Sequence, residues 1–148
     1  MIKSLTVAAA VLLAATASAQ APRAPAAATT LAEVEQLLRT AGYSRIHEIE
    51  KDDGLWEADV SRDDGRFREV YVDPRNGEIF DAFDGRSELS VEQLLAKAKE
   101  QGLHGIHKLE RDGATWKLEA RNARNQPVEA RLSGHDGRLI HSERDGWL

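Results

Sequence analysis

The sequence predicts an α+β fold built from two tandem units, each an α-helix followed by an antiparallel meander of four short strands (α-β-β-β-β). The first observation is a repeat: IHEIEKDDGLW, which starts at Ile46, returns sixty residues later as IHKLERDGATW, starting at Ile106. The second is a change of apolar period in each unit, from about 3.6 residues to 2. The third is that seven of the eleven glycines follow Asp or Asn, a pairing typical of tight hairpins.

Each helix is predicted from a capping box at its start, an apolar stripe and a glycine stop. In a capping box a hydroxyl binds one free backbone N–H while a longer side chain reaches back to another. The two boxes are Thr30 with Glu33 and Ser90 with Gln93. Apolar residues then recur at helical spacing, as Leu31, Val34, Leu37, Leu38 and Ala41, and as Val91, Leu94, Leu95 and Ala98. Gly42 and Gly102 end the helices.

The strands are predicted near 47–52, 55–62, 66–73 and, as a stub, 78–82, with the same set shifted by sixty residues. Alternation gives each sheet one apolar face, which the preceding helix covers. That face carries Trp56, Ala58, Val60, Val70 and Val72, matched by Trp116, Leu118, Ala120, Ala130 and Leu132. The two units either pack together or continue one sheet across the junction near residues 85–88.

The opposite face of each sheet is polar, and it is the predicted partner-binding surface. Its residues are Glu57, Asp59, Glu69 and Tyr71 in the first unit, and Lys117, Glu119, Glu129 and Arg131 in the second. A tyrosine among charged residues is a common anchor in protein interfaces. An ordinary solvated sheet face is the alternative interpretation.

The domain plan adds an export segment before the two units. Lys3, the apolar run 5–15 and Ala17-Ser18-Ala19 indicate a signal peptide over 1–19. An Ala/Pro-rich linker at 20–29, a first unit at 30–85 and a second at 90–146 complete the plan. We therefore expect a periplasmic or secreted protein with no membrane insertion after signal removal. There is no cysteine, which excludes disulfides and lipid attachment through a thiol.

Charge separates the two units. Residues 30–85 carry seven Lys or Arg against fifteen Asp or Glu, a balance of −8, whereas residues 86–148 carry eleven against ten, or +1. An acidic chain of this kind is repelled by the phosphates of nucleic acid and by anionic lipid, so we expect neither as a partner.

The first unit resembles the PepSY domain, which occurs in propeptides of secreted metallopeptidases and in small envelope proteins. The resemblance is carried by a helix, then G-x-x-x-I-x-x-I-E, an aromatic in the next strand, a D-G turn and V-Y-V-D-P-x-x-G-E-I. The matching residues are Gly42, Ile46, Ile49, Glu50, Trp56, Asp64, Gly65, Val70, Val72, Asp73, Pro74, Gly77 and Ile79. The second unit departs from the pattern, with Ser133-Gly134 in place of Asp73-Pro74 and Arg124-Asn125 in place of Asp64-Gly65.

Two tandem helix-plus-meander units are also similar in architecture to the β-lactamase inhibitor proteins, which bind their target with the exposed sheet face. Both resemblances imply a non-catalytic domain that binds another protein. The expected partner is an envelope or secreted protein. In its most specific form, this expectation names a peptidase that the chain inhibits or regulates. No cofactor is implied.

The main alternative is a small metal- or ligand-binding sensor that uses histidines of the second unit. His104-x-x-His107, with His135 and His141, would supply imidazole for zinc or copper if these residues met. The matched pair His47 and His107 otherwise suits half-buried structural positions. Acidic turns lack the ligand alternation of an EF-hand loop, so they are interpreted as turn chemistry.

No catalytic motif accompanies these features. The sequence contains no G-x-S-x-G, H-E-x-x-H or P-loop pattern, and its carboxylates lie on turns and outward faces. Trp56 and Trp116 are predicted core residues, because their register puts them under the helix. Trp147 has no counterpart, and both a docked tail and an exposed contact remain open for it.

Overall fold

The computed structural model describes residues 27–144, and within them it has two α+β units of identical element order. The first contains α1 (Leu31–Thr40), β1 (Arg45–Asp52), β2 (Leu55–Ser61), β3 (Phe67–Val72) and β4 (Ile79–Phe80). The second contains α2 (Val91–Glu100), β5 (His104–Asp112), β6 (Thr115–Arg121), β7 (Pro127–Ser133) and β8 (Leu139–Arg144). The predicted fold class is confirmed. The predicted signal peptide and Trp147 lie outside the described residues.

Both helices begin and end as their sequences predict. Thr30 and Ser90 are the N-caps, and each capping box is complete in both directions. At the C-terminal end of α1, Tyr43 N donates to Leu38 O and Gly42 N donates to Arg39 O, at 3.1 and 3.0 Å. This is a Schellman motif, which requires a positive φ at its glycine, and Gly42 has a φ of +91°. The second helix repeats the motif around Gly102.

Each unit has its own antiparallel sheet, and the strands follow chain order from β1 to β4 and from β5 to β8. The helix packs on one face of the sheet. In the first core Val34 and Leu38 of α1 meet Trp56, Val60 and Val72 of the sheet. In the second, Leu94 and Ala98 of α2 meet Leu118, Ala120 and Leu132. Of the two arrangements that the sequence leaves open, the structure has packed units and not one continuous sheet.

The two matched tryptophans differ in burial. Trp56 is 8% exposed, and its Nε1 donates to Ala28 O at 3.1 Å. Ala28 is itself buried, so the first core begins within the segment predicted as a linker. Trp116 packs against the second core but stays half-buried. The core position is therefore confirmed for Trp56 and partly for Trp116.

A third apolar cluster joins the two units. It contains Leu55, Tyr71 and Phe80 from the first unit and Ala114 and Ile140 from the second. All five are at most 3% exposed. The units therefore pack through the sheet faces opposite their helices. Within residues 27–144 no helix has both the length and the apolar character needed to cross a bilayer.

Candidate functional site

The eight predicted partner-binding residues lie on strands β2, β3, β6 and β7 and share the sheet faces opposite the helices. Cross-strand pairing places Glu57 opposite Tyr71 and Asp59 opposite Glu69 in the first unit. The matching pairs in the second unit are Lys117 with Arg131 and Glu119 with Glu129. Their predicted direction follows from the period of two and is the one that the structure has.

Two of the eight are not available to a partner. Tyr71 and Arg131 are each 1% exposed, because the other unit covers them. The prediction that all eight lie on a free surface is therefore wrong for this matched pair. Sequence periodicity identifies the face on which a side chain lies, but it does not show that two such faces pack together.

Tyr71 binds the β5–β6 hairpin of the second unit. Its hydroxyl lies 2.8 Å from Asp112 Oδ1, and 3.2 Å from a carboxylate oxygen of Glu57 and of Glu69. The hydroxyl hydrogen is donated to one acceptor at a time, and Asp112 is the nearest. Burial and the hydrogen bond to Asp112 raise the pKa of Tyr71. A Cβ at Gly113 would come 3.3 Å from the tyrosine ring, so the hairpin backbone lies flat against it.

Arg131 binds the β1–β2 hairpin of the first unit. Its Nη2 donates to Asp52 Oδ2 at 2.6 Å and to Asp53 Oδ2 at 3.2 Å, while Nη1 donates to Asp112 Oδ2 at 3.0 Å. The guanidinium also lies over the ring of Tyr71, at 4.4 Å from its centroid. Three carboxylates and an aromatic face thus surround the buried guanidinium.

Lys117 completes the network from β6. Its Nζ lies 2.9 Å from a carboxylate oxygen of both Asp52 and Asp53, and 3.4 Å from Asp112 Oδ2. Burial opposes the charge of Lys117, but the bonds from Asp53 and Asp52 outweigh it and raise the pKa of the lysine. Burial likewise would raise the pKa of Asp112, yet the hydrogen bond from Tyr71 and the charges of Arg131 and Lys117 hold that pKa below its ordinary value.

The contacts between the units are approximately reciprocal. The bond from Tyr71 to Asp112 corresponds to the bond from Arg131 to Asp52, because positions 71 and 131 match in the repeat, and so do positions 112 and 52. Each unit therefore inserts its first hairpin into the polar face of the other, as two subunits do across a two-fold axis. This interface between the units, which we call the joint, buries part of each polar face and holds the two units together.

Carboxylates that remain solvent-accessible on the polar face of the first sheet form an acidic surface. Glu48 lies opposite Asp59, and Asp59 lies opposite Glu69, while Glu50 lies opposite Glu57. Like charges directly opposite each other cost free energy in a sheet. Burial and the charge of Glu69 raise the pKa of Glu57. Burial and the charge of Asp112 raise the pKa of Glu69. We call these residues, Glu48, Glu50, Glu57, Asp59 and Glu69, the acidic face.

The matching surface of the second unit is neutralised. Glu119 lies 3.2 Å from Lys108 Nζ and 3.0 Å from His107 Nε2. The hydrogen bond from Lys108 holds the pKa of Glu119 below its ordinary value. Burial, followed by the charge of Asp53, raises the pKa of Glu129. Mixed signs on this sheet contrast with the single sign of the acidic face.

The histidines of the sensor hypothesis do not meet. His104 contacts Asn122 O, His107 contacts Glu119, and His135 contacts Ser87 O. His141 packs against Gly54 of the first unit. Within residues 27–144 the structure has no group of three or more His, Cys, Asp or Glu that could hold a metal ion. The arrangement therefore offers no support for a shared imidazole site.

Several acidic residues that sequence reasoning interpreted only as turn residues are structural anchors. Asp52, Asp53 and Asp112 hold Arg131, and Asp73 holds Arg75 through two oxygens, at 2.9 and 2.8 Å. No local pattern marks Asp52, Asp53 and Asp112 as anchors, because the arginine and the tyrosine that they bind across the joint are distant in the sequence.

Comparison with known proteins identifies a family for the part of the chain that contains the first unit. A family model described as peptidase propeptide and YPEB domain matches residues 3–83. These 81 residues (83 − 3 + 1) are more than half of the 148-residue chain. A solved structure, described as YpmB protein from Bacillus subtilis, aligns at 16% sequence identity with a TM-score of 0.35, covering 70% of this chain and 88% of that one. Among proteins with curated descriptions, none matches.

Proposed function

This chain belongs to the peptidase propeptide and YPEB domain family, and we propose that it is a non-catalytic exported module that binds and regulates an envelope or secreted peptidase. The family is associated with peptidase propeptides and regulatory roles. A module that regulates a peptidase by binding it needs a complementary surface and not a reaction centre.

The observation that carries the proposal is the acidic face. Glu48, Asp59 and Glu69 form one row across three strands, and neither Glu48 nor Asp59 has a salt-bridge partner among the described residues. Repulsion within a row of carboxylates on a sheet lowers the stability of the free protein. A basic partner surface that covers the row offsets this repulsion. The joint with the second unit leaves this row accessible and fixes its geometry.

Inhibition of peptidase activity by the purified mature chain tests the proposal. Envelope and culture-supernatant fractions from the cells that make the protein are assayed for casein hydrolysis with increasing amounts of the chain. We expect activity in one fraction to fall. Asp59→Lys, which places a cation between Glu48 and Glu69 and so preserves the sheet, should inhibit roughly tenfold less well, as expected for loss of a steering and contact charge.

The matched control is Asp63→Lys. Asp63 is an exposed carboxylate in the turn after β2, outside the acidic face, so this variant makes the same charge change and should inhibit like the wild type. If the wild-type chain alters activity in neither fraction, the regulatory role is wrong. If Asp59→Lys inhibits as well as Asp63→Lys, the acidic face is not the contact.

A further inference from the structure

The fourth strand differs between the two units, and this leaves part of β3 unpaired. In the second unit β8 pairs with β7 from Leu132 to Val128. In the first unit β4 pairs only at Tyr71 and Val72. Arg68, Glu69 and Val70, which match Val128 to Ala130, therefore have β2 on one side and no strand on the other within the described residues.

Asp81 explains why β4 stops. Its carboxylate is buried, accepts a hydrogen bond from Tyr43 Oη at 2.6 Å, and also accepts one from Phe83 N at 2.8 Å. The second bond bends the chain into a turn after Phe80, where the other unit has His141 and continues as a strand. The open edge is thus built into the fold by a side chain anchored in the core.

A groove of about 350 Å³ lies at the start of this edge, between residues 66–68 and residues 82–85. Its walls include Phe67 and Phe83, which are 60% and 73% exposed and are the two most exposed large apolar residues of the described chain. Arg68 also lines it. The Arg68 side chain is only 10% exposed; Nη2 donates to Asp64, while Nη1 is buried without a hydrogen-bond partner. A buried, unsatisfied guanidinium nitrogen beside an open strand edge points to an acceptor that is brought by a ligand.

The first strands of the two sheets, β1 and β5, are edge strands that are less suited to pairing. β1 and β5 are interrupted by register shifts, between Ile46 and Glu48 and between His104 and Lys108. Such bulges are a common protection of edge strands. The register of β3 with β2 is regular over its whole length.

We propose that the open edge of β3 at residues 67–69 binds an extended segment of the partner protein as an added antiparallel strand, in the position that β8 occupies in the second unit. This inference rests on the proposed function, since it names how the partner is held. Strand addition gives affinity through main-chain bonds and specificity through alternate side chains.

The flanking residues define the chemistry of that segment. The residue opposite Glu69 extends the row Glu48–Asp59–Glu69, which carries no cation, so a Lys or Arg is favoured there. Opposite Arg68 an Asp or Glu would accept from the free Nη1. Opposite Phe67 an apolar residue would cover its exposed ring. Reading antiparallel to β3, the segment is basic, then acidic, then apolar.

A synthetic peptide tests this directly. The probe is the capped octapeptide T-V-K-E-F-T-V-T, in which K-E-F would lie opposite Glu69, Arg68 and Phe67. Amide hydrogen exchange of the full mature chain is measured with and without peptide up to about 1 mM, a concentration that detects even weak pairing. We expect slower exchange at Phe67 and Glu69, whose N–H groups alternate with those that face β2, and no change at residues 128–130, where β8 already lies.

Two controls separate strand pairing from simple charge attraction. Alternate N-methylation of the peptide removes the N–H groups of one edge or of the other; one pattern should abolish binding and the other preserve it. The order-swapped peptide T-V-E-K-F-T-V-T should bind roughly tenfold more weakly, because both charge pairs become repulsive. Phe67→Ser, an exposed change that leaves the core intact, should also weaken binding.

Absence of new protection at Phe67 and Glu69, or equal binding by both N-methylated peptides, would overturn strand addition. Either result leaves the peptidase assay unaffected, so the two proposals fail separately. A chain that inhibits a peptidase but ignores every peptide keeps the regulatory role and loses only this edge.

Discussion

Position 57 holds a glutamate in the first unit, and the matching position 117 holds a lysine in the second. Both side chains lie on the sheet face opposite the helix and beside the same joint. Lys117 contacts Asp52, Asp53 and Asp112. Glu57, in contrast, lies among other carboxylates, and burial and Glu69 raise its pKa. The same repeat position therefore carries a stabilising charge in the second unit, at Lys117, and a destabilising charge in the first unit, at Glu57.

The difference shows how two copies of one unit can divide their roles. The second unit supplies the cations of the joint and neutralises its own face, and its long β8 pairs along β7. The first unit supplies the acidic hairpin, keeps the acidic face accessible and leaves part of β3 open. Its family match and its accessible polar groups coincide, so the first unit is the side on which we place partner contact.

The largest expected contrast concerns the matched tryptophans. Trp56→Ala should lower the free energy of unfolding by about 4 kcal/mol, since a buried ring and its hydrogen bond to Ala28 are lost. Trp116→Ala should cost about 2 kcal/mol because that ring is only half-buried. Urea denaturation of both variants provides the measurement. Equal losses would show that Ala28 does not complete the first core.

The next contrast breaks the joint from each side. Arg131→Met should cost about 3 kcal/mol, because Asp52, Asp53 and Asp112 lose the buried cation that they share. Tyr71→Phe should cost about 1 kcal/mol, since only one donated hydrogen bond disappears and the ring stays.

The control for both variants is Arg124→Met, which removes an exposed arginine of the β6–β7 turn and should leave stability unchanged. The comparison is made by urea denaturation at pH 7. If Arg131→Met is as mild as Arg124→Met, the ion network does not hold the units together.

The fold could be predicted from the sequence because its signals are local. Capping boxes, Schellman glycines and the change of period lie within a dozen residues of the atoms that they organise, and all appear in the structure. Even the direction of Tyr71 and Arg131 follows from alternation. Their burial does not, because it depends on hairpins that are far away in the sequence, such as Asp52 for Arg131.

The open edge of β3 was equally hidden from sequence reasoning. The sequence predicts a stub over 78–82, but the shortness of β4 relative to β8 depends on Asp81, whose carboxylate is held in the core by Tyr43 after the first helix. The repeat itself contained the signal, since Asp81 and His141 occupy matched positions and differ in chemistry. Departures between two copies of a repeat indicate where the copies have diverged in use.

Lys117→Gln tests the contribution of one charge to the joint, because a polar side chain remains at that position. The variant keeps polarity but loses the charge that binds Asp52 and Asp53, and we expect a loss of about 1.5 kcal/mol, in the range for hydrogen bonds to charged groups. The measurement is urea denaturation at pH 7 in low and high salt. Because the lysine is partly buried, the loss should shrink only slightly at high salt; complete screening would place the pair on the surface.

Glu57→Gln should have the smallest effect and the opposite sign. The pKa of Glu57 is raised in the folded chain above its ordinary value of 4.5, so folding favours the protonated form. That favourable contribution is present below the ordinary pKa and is lost as pH rises through the raised one. The neutral amide should therefore raise the free energy of unfolding at pH 7 by about 0.5 kcal/mol, the size of one repulsive cross-strand pair.

The advantage of Glu57→Gln should disappear near pH 3, where both side chains are neutral, so unfolding is compared at the two pH values. Glu119→Gln is the matched control from the second unit. Lys108 holds the pKa of Glu119 below its ordinary value, so its charged form is favoured by folding and the amide should lower stability at pH 7. Opposite signs at two outward carboxylates would show that charge repulsion destabilises the acidic face in the free protein, which agrees with the proposed contact with a basic surface; a loss at both positions would mean that its charges are already balanced.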